Sequence, residues 1–451
     1  KTFDEIKQEL IQLCQDRLSP ISIPDEIEEL PQFPRTGLGK IQKQKIREWL
    51  KEGKAFGHAK VSRGLPEKAY FQPSNIVSNV SEALSVNYNN QVYEMKREGK
   101  DITTLSLGEA FFDIPLYPFD DLPFPDIYHY THSRGILQLR EKLAEYFQKT
   151  YEVSFDPENE IIVTAGSKIA IYMALLALIN PGDEVIIPDP SWVSYPEQVK
   201  LCHGIPVTIP YDESIFEYEA YITNRTRLII INNPNNPSGR IYSLEEISFL
   251  YSLARKYNLY VLSDEAYSDF LLEKEKFVSL GNLDPEKRNL ILVNSISKNY
   301  GISGWRIGYV ITNSKLTYQI LKLNQHLVTC PPSILAFYIA KHFDDIIKIT
   351  MPQIHNLIER RRELETYMKE IGLKHLPGEA TFYFFVSISP SLISSTEFCD
   401  NLLAEHNIAT VPGIGYGPSC DRFIRVSVGT EDMTRTKSAL FQIKTLINQT
   451  A

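Results

Sequence analysis

Residues 295–308 read Ser-Ile-Ser-Lys-Asn-Tyr-Gly-Ile-Ser-Gly-Trp-Arg-Ile-Gly, and no other segment constrains the fold of this chain as strongly. The segment follows an apolar run at residues 290–293 that predicts a buried strand. Its glycines exclude an ordinary stable helix and let the backbone pass close to a bulky group. A buried lysine amine such as that of Lys298 can form a Schiff base with an aldehyde cofactor. Ser295 and Arg306 could hold a phosphate, the arginine through charge-assisted bidentate hydrogen bonds.

The pattern of this segment resembles the lysine signature of the class I and II aminotransferases, which bind pyridoxal 5′-phosphate (PLP). A single lysine in a glycine-rich loop is more often an ordinary surface residue, but no position of the segment departs from the family's pattern. The resemblance implies that Lys298 holds PLP and that Ser295 and Arg306 contact its phosphate.

Composition limits the remaining possibilities. A chain of 451 residues with 43% hydrophobic and 23% charged residues is typical of a globular protein with two or three domains. Its net charge of −9 argues against a general nucleic-acid binder, and its longest apolar run, residues 169–179, is too short to span a bilayer. The five cysteines have no metal-ligand spacing, so we expect no metal site and reduced thiols in a cytoplasmic protein.

Residues 1–54 form a separate unit in the sequence, and residues 55–72 read as a linker. A proline-rich stretch leads into Arg-Thr-Gly-Leu-Gly-Lys, which ends at Lys40 and precedes a basic helix. This pattern resembles the end of the C-terminal subdomain of the adenylate-forming enzymes (acyl-CoA synthetases and nonribosomal adenylation domains), in which the matching lysine stabilises the adenylating transition state. Because the sequence contains no ATP-binding loop, we expect a remnant, or a piece of a longer fusion with an adenylation domain or a carrier protein.

A strand, a tight turn and a helix are predicted around residues 160–179. The free N–H groups of Gly166, Ser167 and Lys168 at the helix N-terminus suit an anion, here the cofactor phosphate. The resemblance also places Tyr130 against the cofactor phosphate of a partner subunit, and therefore implies a homodimer.

Three residues resemble the groups that the family places around the cofactor ring. Trp192 matches the aromatic residue stacked on the pyridine ring, and Tyr267 matches the phenol that contacts the cofactor oxygen. Asp264 ends a predicted strand and matches the partner of the pyridinium nitrogen, because a carboxylate beside a cationic nitrogen stays ionised. For these positions alone, a core tryptophan and a helix-capping aspartate are the simpler alternatives.

Three further residues match the family's substrate contacts. Asn236, in Asn-Pro-Asn-Asn-Pro-Ser-Gly, matches the asparagine that contacts the cofactor oxygen and the substrate carboxylate. Gly108 matches the glycine over that carboxylate, and a simple turn is its alternative. Arg425 alternates with apolar residues on a predicted strand, so an inward guanidinium would need a carboxylate partner. It matches the arginine whose guanidinium binds the substrate α-carboxylate in the family, although an arginine on an exposed strand face is the commoner case.

The order of the motifs predicts the fold. Strands alternate with helices from residue 160 to residue 310, as a mainly parallel α/β sheet requires, and the functional groups follow the strands. We therefore predict the α/β fold of the fold-type I PLP enzymes. The large PLP-binding domain is expected at residues 106–335, the smaller α+β domain at residues 73–105 and 336–451, and a short α+β fragment before them.

The resemblance implies a PLP-dependent aminotransferase of amino acid metabolism or biosynthesis, similar to the bacterial aspartate and aromatic aminotransferases. It would move an amino group between an L-amino acid, with aspartate and glutamate as candidates, and a 2-oxo acid, with Lys298 carrying the proton. A lyase or decarboxylase on the same fold remains open, as does an enzyme acting on a carrier-bound substrate. A PLP-binding regulator, or a function residing in residues 1–54, are further alternatives. We expect neither a nucleic-acid nor a membrane partner.

Overall fold

The computed structural model describes residues 73–451 without a gap and, before them, residues 6, 8–10, 12–13, 26–28, 41, 46 and 58–60. It divides into two compact units, Lys1–Ser74 and Asn75–Ala451. In the first unit two short strands pair antiparallel, with Glu26 opposite Lys60. Lys40, most of the fragment predicted at residues 1–54 and most of the linker predicted at 55–72 lie outside the described residues.

The elements are numbered along the described part of the chain. The strands are β1 (Glu26–Glu28), β2 (His58–Lys60), β3 (Thr103–Thr104), β4 (Ile161–Thr164), β5 (Glu184–Pro188), β6 (Ile205–Ile209), β7 (Thr226–Asn232), β8 (Tyr260–Asp264), β9 (Leu290–Ser295), β10 (Gly308–Thr312), β11 (Tyr383–Ser387), β12 (Ile408–Ala409), β13 (Val411–Pro412) and β14 (Phe423–Ser427). The helices are α1 (Asn75–Ser78), α2 (Leu84–Arg97), α3 (Leu137–Tyr151), α4 (Ser167–Leu178), α5 (Ser194–Leu201), α6 (Leu244–Tyr257), α7 (Ile296–Asn299), α8 (Ser314–Leu327), α9 (Ser333–Glu370), α10 (Ser395–His406) and α11 (Met433–Gln449).

A seven-stranded sheet forms the centre of the second unit, in the order β4-β10-β9-β8-β7-β5-β6. Strands β5 to β9 pair parallel with one another, whereas β10 pairs antiparallel with both of its neighbours. The strands of this sheet are continuous apolar runs because helices cover both of its faces. Helices α3, α6 and the first half of α9 pack on one face, and α4, α5 and α8 pack on the other. The predicted α/β fold with a mainly parallel sheet is confirmed.

A second core lies around a three-stranded antiparallel sheet in the order β11-β14-β13. Apolar residues of α2, α10, α11 and the second half of α9 pack against it, and β12 pairs with β3 nearby. Helix α9 contributes to both cores and departs from helical geometry at His342. The two cores therefore adjoin along this helix.

The register of the large sheet brings the ends of its parallel strands to one edge. Asn232 lies opposite Asp264, and Asp264 lies opposite Val293 of β9. The segments that follow β7, β8 and β9 therefore begin side by side, as expected for a ligand site in an open α/β sheet.

Within residues 73–451 no helix combines the length and the apolar character needed to cross a membrane. The same residues contain no cluster of three or more histidine, cysteine, aspartate or glutamate side chains suited to a metal ion. Cys202, Cys330, Cys399 and Cys420 are free thiols, and all but Cys330 are buried.

Candidate active site

A cavity of about 430 Å³ opens at the carboxyl edge of the large sheet and reaches the small sheet. The site residues predicted from the sequence line it, except for Gly166 and Tyr130: Gly108, Ser167, Lys168, Trp192, Asn236, Asp264, Tyr267, Ser295, Lys298, Arg306 and Arg425. The fold therefore brings together residues that lie more than 300 positions apart in the sequence.

Lys298 lies on α7, the short helix that follows β9 directly. The hydroxyl of Ser295 caps this helix by accepting a hydrogen bond from the N–H of Ser297 (3.2 Å). Lys298 Nζ donates to the carbonyl of Gly108 (2.6 Å). Burial lowers the pKa of this amine to about 8, although Glu109 favours the charged form. A buried amine with a pKa this close to neutrality supplies the free base that attacks an aldehyde.

The phosphate end of the cavity is built from Arg306 and the start of α4. Gly166 has a φ of +91° and precedes this helix without a side-chain cap, so the first N–H groups of α4 have no helical partner. A Cβ at Gly166 would overlap the Arg306 guanidinium. Arg306 Nη1 is anchored on the carbonyl of Ser303 (2.6 Å), and the hydroxyl-bearing Ser295 lines the same space. Free N–H groups, a guanidinium and a hydroxyl form an anion site that only glycine at position 166 permits.

Asp264 ends β8 at the bottom of the cavity. Its Oδ2 accepts from the hydroxyl of Tyr195 (2.7 Å), and its Oδ1 accepts from the N–H of Ala266 (3.2 Å). Burial raises its carboxyl pKa to about 6, against the opposite effect of these hydrogen bonds. No lysine or arginine of residues 73–451 forms an ion pair with it. This carboxylate therefore suits a ligand that brings a cationic N–H group.

The aromatic walls come from Trp192 and Tyr267. The ring of Trp192 contacts that of Tyr195 edge to face at 5.2 Å. The hydroxyl of Tyr267 lies 3.4 Å from Asn236 Nδ2 and 2.9 Å from the hydroxyl of Tyr383. Asn236 and Tyr267 thus point polar atoms at one place on the cavity wall, as a shared contact to one ligand oxygen requires.

Arg425 lies on β14 and is 3% exposed. Its Nη2 donates to the carbonyl of Ser106 (2.5 Å), and its Nη1 donates to Asn236 Oδ1 (3.4 Å). Its Nε has no hydrogen-bond partner in the part of the chain that the structure describes. The guanidinium lies 4.6 Å from the ring centre of Tyr383. A Cβ at Gly108 would lie 3.1 Å from the Tyr383 hydroxyl, so glycine keeps the space beside the guanidinium open. A buried guanidinium without a carboxylate among the described residues is suited to bind one from a ligand.

Gly166 and Tyr130 do not line the cavity, and Lys168 contributes more than was predicted. The N–H of Gly166 donates to the carbonyl of Thr164 (2.8 Å), so it is not the free anion donor expected from the sequence. Tyr130 is 85% exposed and does not line the cavity of its own protomer, so its contact to a partner's cofactor stays a prediction. Lys168 contributes its side chain as well as its predicted N–H group, because its Nζ lies 5.0 Å from the ring centre of Trp192. Burial lowers the pKa of this lysine, and the nearby Arg306 lowers it further.

The sequence analysis missed Tyr195 and Tyr383. Tyr195 follows Trp192 at helical spacing and holds Asp264. Tyr383 lies two residues before Phe385, which pairs with Arg425, so both aromatic rings share a face of the sheet with that arginine. The only indication in the sequence was that each of two aromatic stretches contains a tyrosine, whose hydroxyl can form a hydrogen bond.

Known proteins similar to this chain include several aminotransferases. The family model described as "Aminotransferase class I and II" matches residues 119–438. The aspartate aminotransferase of Pyrococcus abyssi is 32% identical over 352 residues, which cover 75% of this chain and 90% of the relative. The aromatic-amino-acid aminotransferase 2 of Thermococcus litoralis is 31% identical over 352 residues, with the same coverage of 75% and 90%. The structure of the Thermus thermophilus aspartate aminotransferase with maleate has a TM-score of 0.75 at 28% identity and matches 83% of this chain and all of that one.

Proposed function

Because this chain belongs to the class I and II aminotransferases, and so depends on PLP, we propose that Lys298 is the residue that carries the cofactor and that the amino donor is aspartate or glutamate. The observation that best supports this proposal is the buried amine of Lys298, which lines the same cavity as Asp264 and Arg425. An aminotransferase must attach its cofactor, keep the ring nitrogen charged and hold an α-carboxylate, and these groups match those tasks in that order.

The residues of the cavity fit PLP. The cradle left open by Gly166 would take the phosphate, with Ser295, Arg306 and the first N–H groups of α4 as donors. Asp264, with which no lysine or arginine of residues 73–451 forms an ion pair, would hold the ring N–H. Tyr267 and Asn236 would hold the ring oxygen, and Trp192 would cover the ring. When bound, PLP supplies an electron sink that makes the α-proton of an amino acid acidic.

The side chains then have defined tasks in the reaction. Arg425 and Asn236 hold the α-carboxylate of the amino donor, which fixes its α-carbon above Lys298. Lys298 Nζ would accept the α-proton of the amino donor and later give a proton back, so the same amine serves as base and then as acid. A pKa of about 8 suits both directions because neither protonation state dominates strongly near neutral pH.

The position of Lys168 supports an amino donor with an acidic side chain. Once Arg306 holds the phosphate and Arg425 the α-carboxylate, Lys168 is the remaining cation on the cavity wall, apart from Lys298. Within residues 73–451 no carboxylate pairs with it, and its charged neighbour is the cationic Arg306. The second carboxylate of aspartate or glutamate would satisfy this ammonium, whereas an aromatic donor would leave it unpaired. The named relatives include enzymes of both substrate types, and Lys168 is the residue that supports the acidic donor over the aromatic one.

Replacing Lys168 by methionine removes the charge and keeps the apolar stem. We expect kcat/KM for glutamate and aspartate to fall about 10- to 100-fold, the size of one charge-assisted hydrogen bond. The value for phenylalanine should change by less than about twofold, because that side chain offers no carboxylate. Half-reaction rates with each donor, alongside the Kd of PLP, measure this. An equal loss for glutamate and phenylalanine, with weaker PLP binding, would assign Lys168 to the phosphate instead. The exposed Lys374, replaced in the same way, is the matched control.

A homodimer is part of this proposal. The segment around Tyr130 carries further exposed apolar side chains, including Leu116, which is 82% exposed, and Tyr128, which is 72% exposed. Exposed apolar side chains in one region indicate a surface for another chain. A second copy would cover them and deliver Tyr130 to the neighbouring phosphate site.

Residues 1–54 are proposed to be the end of an adenylate-forming enzyme's C-terminal subdomain. The support is the sequence pattern that ends at Lys40. In a fusion, such a fragment would place this aminotransferase beside an adenylation domain or a carrier protein. The described residues that line the candidate cavity all come from Asn75–Ala451.

A chain lacking residues 1–54 tests both of these proposals. We expect its transamination rate to stay within about twofold of the full chain, since the cavity is intact. Its mass in sedimentation should be that of a dimer. A loss of turnover in a still folded protein would give residues 1–54 a part in catalysis. An active monomer would exclude Tyr130 from the site.

A further inference from the structure

A buried carboxylate outside the cavity joins the helix of Lys298 to two other elements. Asp269 is 4% exposed and follows Tyr267 on the loop after β8. Its Oδ1 accepts from the hydroxyls of Tyr146 and Tyr151 on α3, each at 2.6 Å. Its Oδ2 accepts from Asn299 Nδ2 at 2.8 Å, and Asn299 directly follows Lys298.

Neutral donors alone satisfy this carboxylate. Among residues 73–451 no lysine, arginine or histidine forms an ion pair with Asp269. Burying a carboxylate in this way costs folding free energy unless its oxygens accept several hydrogen bonds. Removing one donor therefore destabilises the folded state. The side chain therefore links α3, the loop after β8 and α7 more firmly than a neutral residue would.

Helix α7 depends on such external links. It has four residues, which is too short to be stable by itself, and Gly301 follows with a φ of +64°. Beyond the Ser295 cap, Tyr300 donates to the carbonyl of Phe343 (3.0 Å) on one side. The bond of Asn299 to Asp269 provides a second fixed point next to Lys298.

We propose that Asp269, acting through Asn299, is a positioning residue that holds α7 so that Lys298 Nζ points into the cavity before the cofactor arrives. The proposal rests on the proposed role of Lys298. If α7 is held in advance, attachment of PLP to Lys298 needs no ordering of the helix and is fast. If the link is cut, that ordering becomes part of the attachment step and slows it.

The two ends of the link can be tested separately. Asn299→Ala removes the bond toward Lys298, whereas Tyr146→Phe removes a bond from the same carboxylate toward α3 and is the matched control. Full-length proteins freed of PLP are mixed with PLP, and the rate of attachment is followed by visible absorbance. Borohydride reduction and peptide mass spectrometry then measure the fraction bound at Lys298. We expect Asn299→Ala to slow attachment and weaken PLP binding about tenfold, and Tyr146→Phe to stay within about twofold, although both lower Tm.

An exchange of side chains gives a rescue that a general loss of stability would not show. Asn299→Asp alone places two carboxylates against each other and should slow attachment more than Asn299→Ala. The double variant Asp269→Asn/Asn299→Asp restores one amide donor and one carboxylate acceptor, and it should recover the rate to within about threefold of the unaltered protein.

The outcomes separate this inference from the proposed function. Equal attachment rates for Asn299→Ala and Tyr146→Phe, or an exchange that fails to recover the rate of Asn299→Asp, would overturn the positioning role alone. An unaltered protein that attaches no PLP at Lys298 would overturn the proposed function, and this inference with it.

Discussion

Replacing Lys298 by alanine is expected to lower the transamination rate by about 10⁴-fold or more, the upper end of what one positioned proton-transfer group contributes. The variant loses both the attachment point of PLP and the amine that moves the α-proton. Because Lys298 Nζ makes a hydrogen bond to the carbonyl of Gly108 in a cavity wall, its removal leaves space and should disturb the fold little. Steady-state turnover with glutamate and a 2-oxo acid measures the loss.

Lys374 provides the control, since its side chain is exposed and remote from the cavity. Lys374→Ala should keep full turnover, and Lys298→Ala should keep the Tm of the cofactor-free protein within a few degrees. Appreciable transamination by Lys298→Ala, above about 1% of the unaltered rate, would contradict the assignment because no second amine in the proposed site has this task.

Replacing Asp264 by asparagine is expected to have two opposite effects. Turnover should fall about 10²- to 10³-fold, because the variant no longer supplies the negative charge that keeps the cofactor ring nitrogen protonated. The cofactor-free variant should meanwhile gain stability relative to the unaltered protein as the pH rises. Turnover at pH 8, and the Tm of both cofactor-free proteins at pH 5 and pH 8, measure the two effects.

The sign of the second effect follows from the pKa of Asp264. Burial raises this pKa to about 6 in the folded protein, above the ordinary value of 3.8. The folded state therefore keeps a proton at pH values where the unfolded chain has lost it, and this contribution to stability disappears as the pH rises through about 6. Asparagine has no such proton, so the Tm difference, variant minus unaltered, should become more positive between pH 5 and pH 8.

The neighbouring Glu265 offers a matched control. Burial raises its pKa to about 7, and it accepts hydrogen bonds from Ser263, Ser279 and Leu280 outside the cavity. Glu265→Gln should show a similar pH-dependent Tm difference while turnover stays near normal. A Tm difference for Asp264→Asn that does not change with pH would refute the buried-charge argument. Turnover within tenfold of the unaltered protein would refute the assigned role.

The location of the site could be predicted from the sequence because several of its residues end an apolar run or follow one closely. Asp264 and Ser295 end strands of the parallel sheet, and such ends meet at one edge. Lys298 and Arg306 were predicted as site residues from the resemblance of their glycine-rich segment to the family's lysine signature. The fold class followed from the alternation of strands and helices, which the seven-stranded sheet bears out.

Contacts that depend on tertiary register could not be predicted in this way. Tyr383 lies in Thr-Phe-Tyr-Phe-Phe-Val, where every residue suits a buried strand, and only the pairing of β11 with β14 shows which face meets Arg425. Asp269, on the loop after β8, and Asn299, at the end of α7, lie 30 positions apart and share no sequence pattern. Helix α9 also continues through Pro352, although a proline in a helix interior removes one backbone hydrogen bond.

The most direct test of the central claim is a single half-reaction of the purified protein with excess glutamate and no 2-oxo acid. The account predicts that the visible absorbance of Lys298-bound PLP is lost, and that one equivalent each of pyridoxamine phosphate and 2-oxoglutarate forms per chain. Release of ammonia or carbon dioxide with PLP unchanged would contradict it and favour a lyase or decarboxylase. No conversion by glutamate, aspartate or any other free amino acid would also contradict it and would favour a carrier-bound substrate.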